Sequence, residues 1–520
     1  MQRYINKMNK TKCLITTICL ACALGVQAQV EVRSEAQVTA ASGDHAPLWL
    51  NANKYGLSSL DTNYGYLRVG AFRPVESDSA RRWSVGYGAD VALGYNMQTP
   101  MVAQQAFVEA RWMKVHLTVG SKEQPVELKN QLLSTGAQTL GVNAHPVPSV
   151  RLSLPDYWDI PGLNGWLGIK GHLAYGLQTD DQWQKDFTHE QSKYTTHTRI
   201  HTKAGYMRIG KEQRPLTVEL GLEVGCQYGG KSYVYDGNIG EMVTWKNNSG
   251  LKGAWHALIP SGYEANEADI IYKNADGNHL GSMVGRVNLD YPSWGVSAYV
   301  DHFFEDHSQI FFYANDGYGE GDEWDTKVHH HYFVYDIRDA MWGLELKLKK
   351  IKWLNSVVAE YIYTKYQSGP IYHDHTPNIS DQISGNDNYY NHSVFTGWQH
   401  WGQVIGNPLY RSPIYNDNGL IMVMDNRFWA FHLAAAGQPF PWLGYRLLMT
   451  WQEGFGTYDY PLPSPQRNRS LLAEVEYAPQ RHPLLKRWSL RCAVGMDRGQ
   501  LLGDNFGCQL TIGRRLFIKE

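Results

Sequence analysis

Three stretches of this 520-residue chain gather side chains that can hold a sugar without reacting with it. Ser384-Gly385-Asn386-Asp387-Asn388-Tyr389-Tyr390-Asn391-His392 is the first, and GWQHWGQVIGNPL (397–409), with Trp398, His400, Trp401 and Asn407, follows it closely. Near the start, HAPLWLNANKYGLSSLD (45–61) sets Trp49 beside Asn51, Asn53 and Tyr55. An aromatic face stacks on the C–H side of a sugar ring, while amides and carboxylates satisfy hydroxyls in pairs. These residue types also have a plain structural use. Asn, Asp and Gly build turns, and Trp and Tyr pack a loop down onto its support. Residues alone leave both uses open.

Other chemistry is less well supported. His329-His330-His331 and His373-Asp374-His375 contain metal-ligand types, but neighbours on an extended chain point to opposite faces. They are read as loop histidines. Asp316 to Asp325 offers carboxylates and glycines without the ligand spacing of a calcium loop. No G-x-S-x-G elbow, H-E-x-x-H helix or phosphate loop occurs. The chain is therefore read as a non-enzyme with no cofactor and no metal.

The elements that must position these stretches are strands. Arg82 to Tyr95 alternates strictly, with Trp83, Val85, Tyr87, Ala89, Val91, Leu93 and Tyr95 on one face and Ser84, Gly86, Gly88, Asp90 and Gly94 on the other. Residues 214–229 and 442–452 alternate in the same way. Apolar residues at every second position suit a strand between lipid and a polar lumen. Eighteen such runs are predicted, at 31–41, 64–72, 83–95, 101–112, 115–120, 149–154, 164–177, 197–209, 214–229, 279–291, 293–305, 339–350, 356–366, 419–436, 443–452, 470–478, 487–497 and 505–517. Most connections assigned to the periplasm are short and most of those assigned outside are long, as expected for periplasmic turns and extracellular loops.

Composition agrees with this reading. The chain has 50 Gly, 33 Tyr, 18 Trp and 15 Phe, with a mean hydropathy of −0.43. A sandwich or propeller would also alternate, but around a core of Val, Ile and Leu. Here the apolar faces carry Trp or Tyr at their ends and the opposite faces carry charge. The expected fold is all-β: one transmembrane antiparallel outer-membrane β-barrel of about 18 strands, spanning 29–520, with long extracellular loops. Its lumen-facing set includes Glu219, Glu223, Arg286, Glu345, Lys347, Arg446, Glu474 and Glu476, so the interior is either wet or bridged by ion pairs.

Residues 1–28 read as a signal peptide cleaved after Ala28. Arg3, Lys7, Lys10 and Lys12 precede the apolar run 13–26, which is too short to span. Without them, 48 basic and 50 acidic side chains become 44 and 50, a net charge near −6. That balance argues against nucleic acid as a partner. Of the three remaining cysteines, Cys226, Cys492 and Cys508, all fall on apolar faces and are read as small lipid-facing side chains. A Cys492–Cys508 cross-strand disulfide is the alternative.

PLWLNANKYG (47–56), LLSTGAQTLGVNAHPVPSVRLSLPDY (132–157), GNDNYY (385–390) and GWQHWGQVIGNPL together resemble the Wzi-type capsule assembly proteins, in the form carried by Bacteroides-like bacteria. The resemblance runs through essentially the whole mature chain. It implies an eighteen-stranded barrel that acts as a lectin, anchoring capsular or other surface polysaccharide without catalysis. Outer-membrane lipid, lipopolysaccharide and the barrel-assembly machinery would be its other partners. A porin-like or saccharide-transport channel is the alternative function. The expected polysaccharide contacts are Asn386, Asp387, Asn388, Tyr389, Tyr390, Trp398, His400, Trp401, Asn407, Trp49, Asn51, Asn53 and Tyr55. In the first stretch, Trp49 and Leu50 are expected to anchor against the wall.

Overall fold

Strict alternation gives each strand one face for lipid and one for the lumen, and a closed barrel leaves no edge unpaired. The computed structural model has this form. It describes residues 29–78, 81–260, 277–305, 338–367, 386–480, 482 and 484–519, with a few positions between 313 and 333. The eighteen wall strands are β1 (Gln29–Ser42), β2 (Asn63–Arg73), β3 (Trp83–Tyr95), β4 (Met101–Trp112), β5 (Val115–Ser121) and β6 (Ser149–Asp159). They continue as β7 (Leu167–Leu177), β8 (Arg199–Ile209), β9 (Leu216–Tyr228), β10 (Asn278–Asp290), β11 (Gly295–Glu305) and β12 (Ala340–Lys347). The last six are β13 (Ser356–Tyr363), β14 (Phe428–Phe440), β15 (Leu443–Gly456), β16 (Pro461–Tyr477), β17 (Trp488–Gly499) and β18 (Asn505–Lys519). Each pairs antiparallel with its neighbours in sequence, and β1 closes on β18 from Gln29↔Lys519 to Ser42↔Phe506.

The two faces separate as the alternation requires. On β3, Trp83, Val91, Leu93 and Tyr95 lie exposed on the outside, while Ser84, Asp90 and Ala92 are buried inside. Trp83, Trp112, Trp158, Trp166, Trp353 and Trp442 ring the end that carries the termini and the short turns. An amphipathic ring belongs at that depth, where headgroups meet hydrocarbon.

Three segments of the long connections at the other end fold inward. Segments 43–62, 122–148 and 386–427 fill the lumen and share an apolar core that includes Leu50, Leu133, Tyr389, Tyr390, Trp398 and Tyr410. Polar wall residues hold this plug. Glu360 on β13 accepts from Ser134 Oγ (2.6 Å), Thr135 N (2.9 Å) and Thr135 Oγ1 (2.7 Å). Lys129 reaches Asp301 on β11 at 2.7 Å, and Asn130 donates to Glu345 at 2.8 Å. Arg286 pairs with Glu345, and Arg446 with Glu474 at 2.8 Å. Of the expected lumen-facing set, Arg286, Glu345, Lys347, Arg446 and Glu474 are bridged by ion pairs, whereas Glu219 and Glu223 accept from the hydroxyls of Tyr157 and Tyr206.

Three expectations need correction. The strand predicted at 419–436 begins at Phe428, because Ile421 and Val423 are buried in the plug rather than in the wall. An apolar, β-branched run satisfies a strand and a buried loop equally well. The strand predicted at 470–478 starts earlier, at Pro461. Its proline-rich beginning pairs only partly with β15, so the missing amide donors cost little. Cys226 faces outward but does not meet lipid: helix α3 (Leu251–Leu258) lies over it, beside Tyr228 and Ala257. Cys492 and Cys508 are exposed and free. Cys492 stands opposite Leu510, and Cys508 opposite Val494, so the register separates them. The histidine clusters at 329–331 and 373–375, most of 316–325, and residues 1–28 lie outside the described residues.

Candidate functional site

The first stretch is packed. Leu48–Asn51 forms α1, and Leu48 N donates to Asp497 Oδ2 at 2.9 Å. Trp49 is buried and donates from Nε1 to Thr450 Oγ1 at 3.1 Å. Leu50 presses so closely on the wall that a Cβ at Gly495 would come within 2.7 Å of it. Asn51 is buried too, donating to Ala46 O at 3.1 Å. Asn53 and Tyr55 remain part-exposed, both at positive φ. Asn53 Nδ2 donates to Thr135 O (2.9 Å) and Tyr55 Oη to Gln124 O (3.1 Å).

The later stretches divide in the same way. Tyr389, Tyr390, Trp398, His400 and Asn407 are all buried. Tyr389 donates to Asp339 Oδ2 at 2.8 Å, Tyr390 Oη donates to Gln138 O, and Asn407 Nδ2 donates to Thr135 Oγ1 at 3.1 Å. Burial raises both phenols well above their ordinary range, so both stay protonated donors. Trp398 Nε1 donates to Thr139 O at 2.8 Å, and its ring sits where a side chain at Gly225 would be. Asn386, Asp387 and Asn388 are part-exposed, and Asn388 Nδ2 reaches Asp459 at 3.1 Å.

Trp401 is the aromatic that reaches the mouth. Gln399–His400 and Gln403–Val404 pair as a two-residue hairpin, with Trp401 at φ 56° and Gly402 at φ 76°. Positive φ at both central positions is the tight-hairpin geometry that favours Asn-Gly. Trp at the first position is unusual, and it projects the indole from the tip, part-exposed. Asp180 Oδ2 accepts from Trp401 N at 3.0 Å. His400 holds the base of the hairpin: its Nδ1 donates to His145 O (2.9 Å) and its Nε2 accepts from Thr179 N (3.1 Å). These partners set the Nδ1–H tautomer. Beside the hairpin, helix α2 (Asp181–Thr188) presents Trp183 stacked on Phe187, with centroids 4.8 Å apart. Trp401, Trp183 and Phe187 form a part-exposed aromatic ledge.

Beneath this ledge lies a cavity of about 150 Å³ between the plug and strands β5 to β9. It has room for about five waters or one sugar unit. His145 lines it and meets the Trp401 ring edge-on, with centroids 6.2 Å apart. Burial, with His400 beside it, pushes the His145 imidazole down to about 3, so it is neutral. Strand register builds the wall side. Thr118, Arg151, Ala174, Thr202 and Gly225 stand in one row across five strands. His116, Ser153, His172, Ala204 and Glu223 stand in the next. Small residues in these rows leave the space that Arg151 and His172 point into.

Tyr55 and Trp398 are the sequence-predicted residues that line the cavity. Arg151, His172, Trp183 and Phe187 were missed. The first two sit on polar strand faces like any other lumen-facing residue, and only register brings them together. Trp183 and Phe187 carried a usable signal: their four-residue spacing puts them on one helical face.

No family model matches the sequence, and no curated protein matches it. Solved structures do share the fold. Wzi, an outer-membrane protein involved in group 1 capsule assembly in Escherichia coli and described as a carbohydrate-binding β-barrel, is similar with a TM-score of 0.50. Its identity is 11%, over 92% of this chain and 83% of Wzi. OccK5 (OpdH) of Pseudomonas aeruginosa matches at 8% identity and TM-score 0.44, over 95% of this chain and 98% of its own. OprD of the same organism matches at 9% and 0.43, over 94% and 95%. The shared feature is the outer-membrane barrel.

Proposed function

We propose that this protein is a non-enzymatic outer-membrane lectin of the Wzi type, holding a capsular or related polysaccharide at the cell surface. The reading rests on the plug. Three segments cross the lumen, share an apolar core and are tied to charged wall residues. This build favours holding a ligand at the mouth over passing one through. The ledge of Trp401, Trp183 and Phe187 supplies stacking faces there, with Asn386, Asp387 and Asn388 part-exposed on the same side of the barrel. Polar groups in the cavity below supply hydroxyl partners.

Deletion of the gene in its native host is the test. Polymer should be lost from cells and recovered in the medium, with retention restored by the wild-type chain. Unchanged cell-bound polymer, together with a large steady conductance of the purified protein in planar bilayers, would turn the assignment to a channel.

A further inference from the structure

We propose that the cavity beneath the mouth binds a sugar unit bearing a carboxylate, with the Arg151 guanidinium as its anion partner. The inference rests on the lectin reading and adds the class of sugar selected. Arg151 points inward from β6 between Thr118 and Ala174, and lines the cavity. Among the described residues it has no hydrogen bond or ion pair. The other charged side chains there are engaged. Lys122 pairs with Glu109 at 2.6 Å, Glu127 with Lys170 at 2.5 Å, and Glu223 accepts from Tyr206 Oη at 2.8 Å.

Glu127 and Glu109 act on this guanidinium only at a distance, and an enclosed guanidinium with no direct partner lowers stability, a local cost of the kind that concentrates at functional sites. Its planar fork matches a carboxylate in two-point contact. A single guanidinium with no direct partner offers one two-point site, which fits a carboxylate. A phosphomonoester dianion would bring a second charge towards Glu127 and Glu223, which line the same cavity. Around the guanidinium the groups suit a sugar ring rather than a bare ion. Thr202 Oγ1 and His172 Nε2 lie 3.3 Å apart and can share a hydroxyl, and the Tyr55 ring closes one side. Ala174, next to Arg151 in the row, leaves the necessary space.

The test uses the full chain purified in detergent and titrated with sodium D-glucuronate, D-glucose and inorganic phosphate, followed by tryptophan fluorescence. Wild type should bind glucuronate saturably and at least about tenfold more tightly than glucose, the size expected for a charged hydrogen-bond pair. Arg151→Gln should abolish the preference, and Arg151→Lys should keep part of it. Ala174→Leu, which fills the space without changing charge, should abolish glucuronate binding as well. Heat-modifiable gel migration checks that each variant is a folded barrel. Equal affinity for glucose and glucuronate, phosphate binding as tight as glucuronate, or unchanged binding in folded Arg151→Gln and Ala174→Leu would overturn the proposal. Absence of glucuronate binding with polymer still shed on gene deletion would overturn the acid-sugar assignment alone. Unchanged cell-bound polymer on deletion would instead sink the lectin reading beneath it.

Discussion

Trp398 and Trp401 are three residues apart on one hairpin, in opposite environments. Trp398 is buried in the lumenal core and hydrogen-bonded to Thr139, whereas Trp401 stands part-exposed at the hairpin tip. Truncating a large buried aromatic costs about 3–5 kcal/mol. Trp398→Ala should therefore loosen the plug, measured as a lower denaturant midpoint. Trp401→Asn should leave that midpoint unchanged or raise it slightly, since Asn tolerates positive φ better. The same variant should weaken retention of polysaccharide on cells. Full retention with Trp401→Asn would return the ledge to packing. Asp425 gives a pH dependence at the same scale. Burial pushes its carboxyl up to about 7; Oδ1 accepts from Gly456 N at 2.8 Å, and among the described residues Oδ2 has no hydrogen-bond partner. A raised folded value makes docking strongest below the ordinary carboxylate value of about 4. The contribution is lost as pH rises towards 7 and stays constant above it. Hydrogen exchange of residues 421–427 should accelerate over that window beyond its intrinsic pH dependence. Asp425→Asn should remove the extra acceleration.

Among elements, the plug segments depend on a few wall side chains. Glu360 is the clearest, because Tyr299 Oη donates to it at 2.6 Å in addition to Ser134 and Thr135. Glu360→Ala would leave these donors without an acceptor, at a cost of roughly 3 kcal/mol or more. Segment 122–148 should then undock, and planar-bilayer conductance should rise above that of wild type. Unchanged conductance and unchanged protease resistance of the segment would mean that the apolar core alone holds it. The wall strands themselves were legible. Trp83 to Tyr95 and Leu216 to Tyr228 lie close to where their alternation put them, because period two is imposed by lipid on one side and a polar interior on the other. Strand 419–436 failed at its start. The Ile421–Val423 run meets a dry environment inside the lumen, and sequence cannot tell that from lipid.

For the whole molecule, closure follows from the same alternation repeated eighteen times, with β1 and β18 in register over their full shared length. Sequence by itself determined the barrel, its outward faces, the aromatic ends of several of those faces and the asymmetry of most of its connections. These are local consequences of a solvent that differs on the two sides of each strand. What tertiary structure decided is which long connections turn inward and which of their aromatics remain accessible. Tyr389, Tyr390 and Trp398 have the same composition cues as Trp401, yet only Trp401 reaches the mouth. Tertiary structure also decided that Arg151 and His172, 21 positions apart, share one cavity. Register across neighbouring strands sets that placement. It depends on pairings between distant segments, and no single strand's pattern records it.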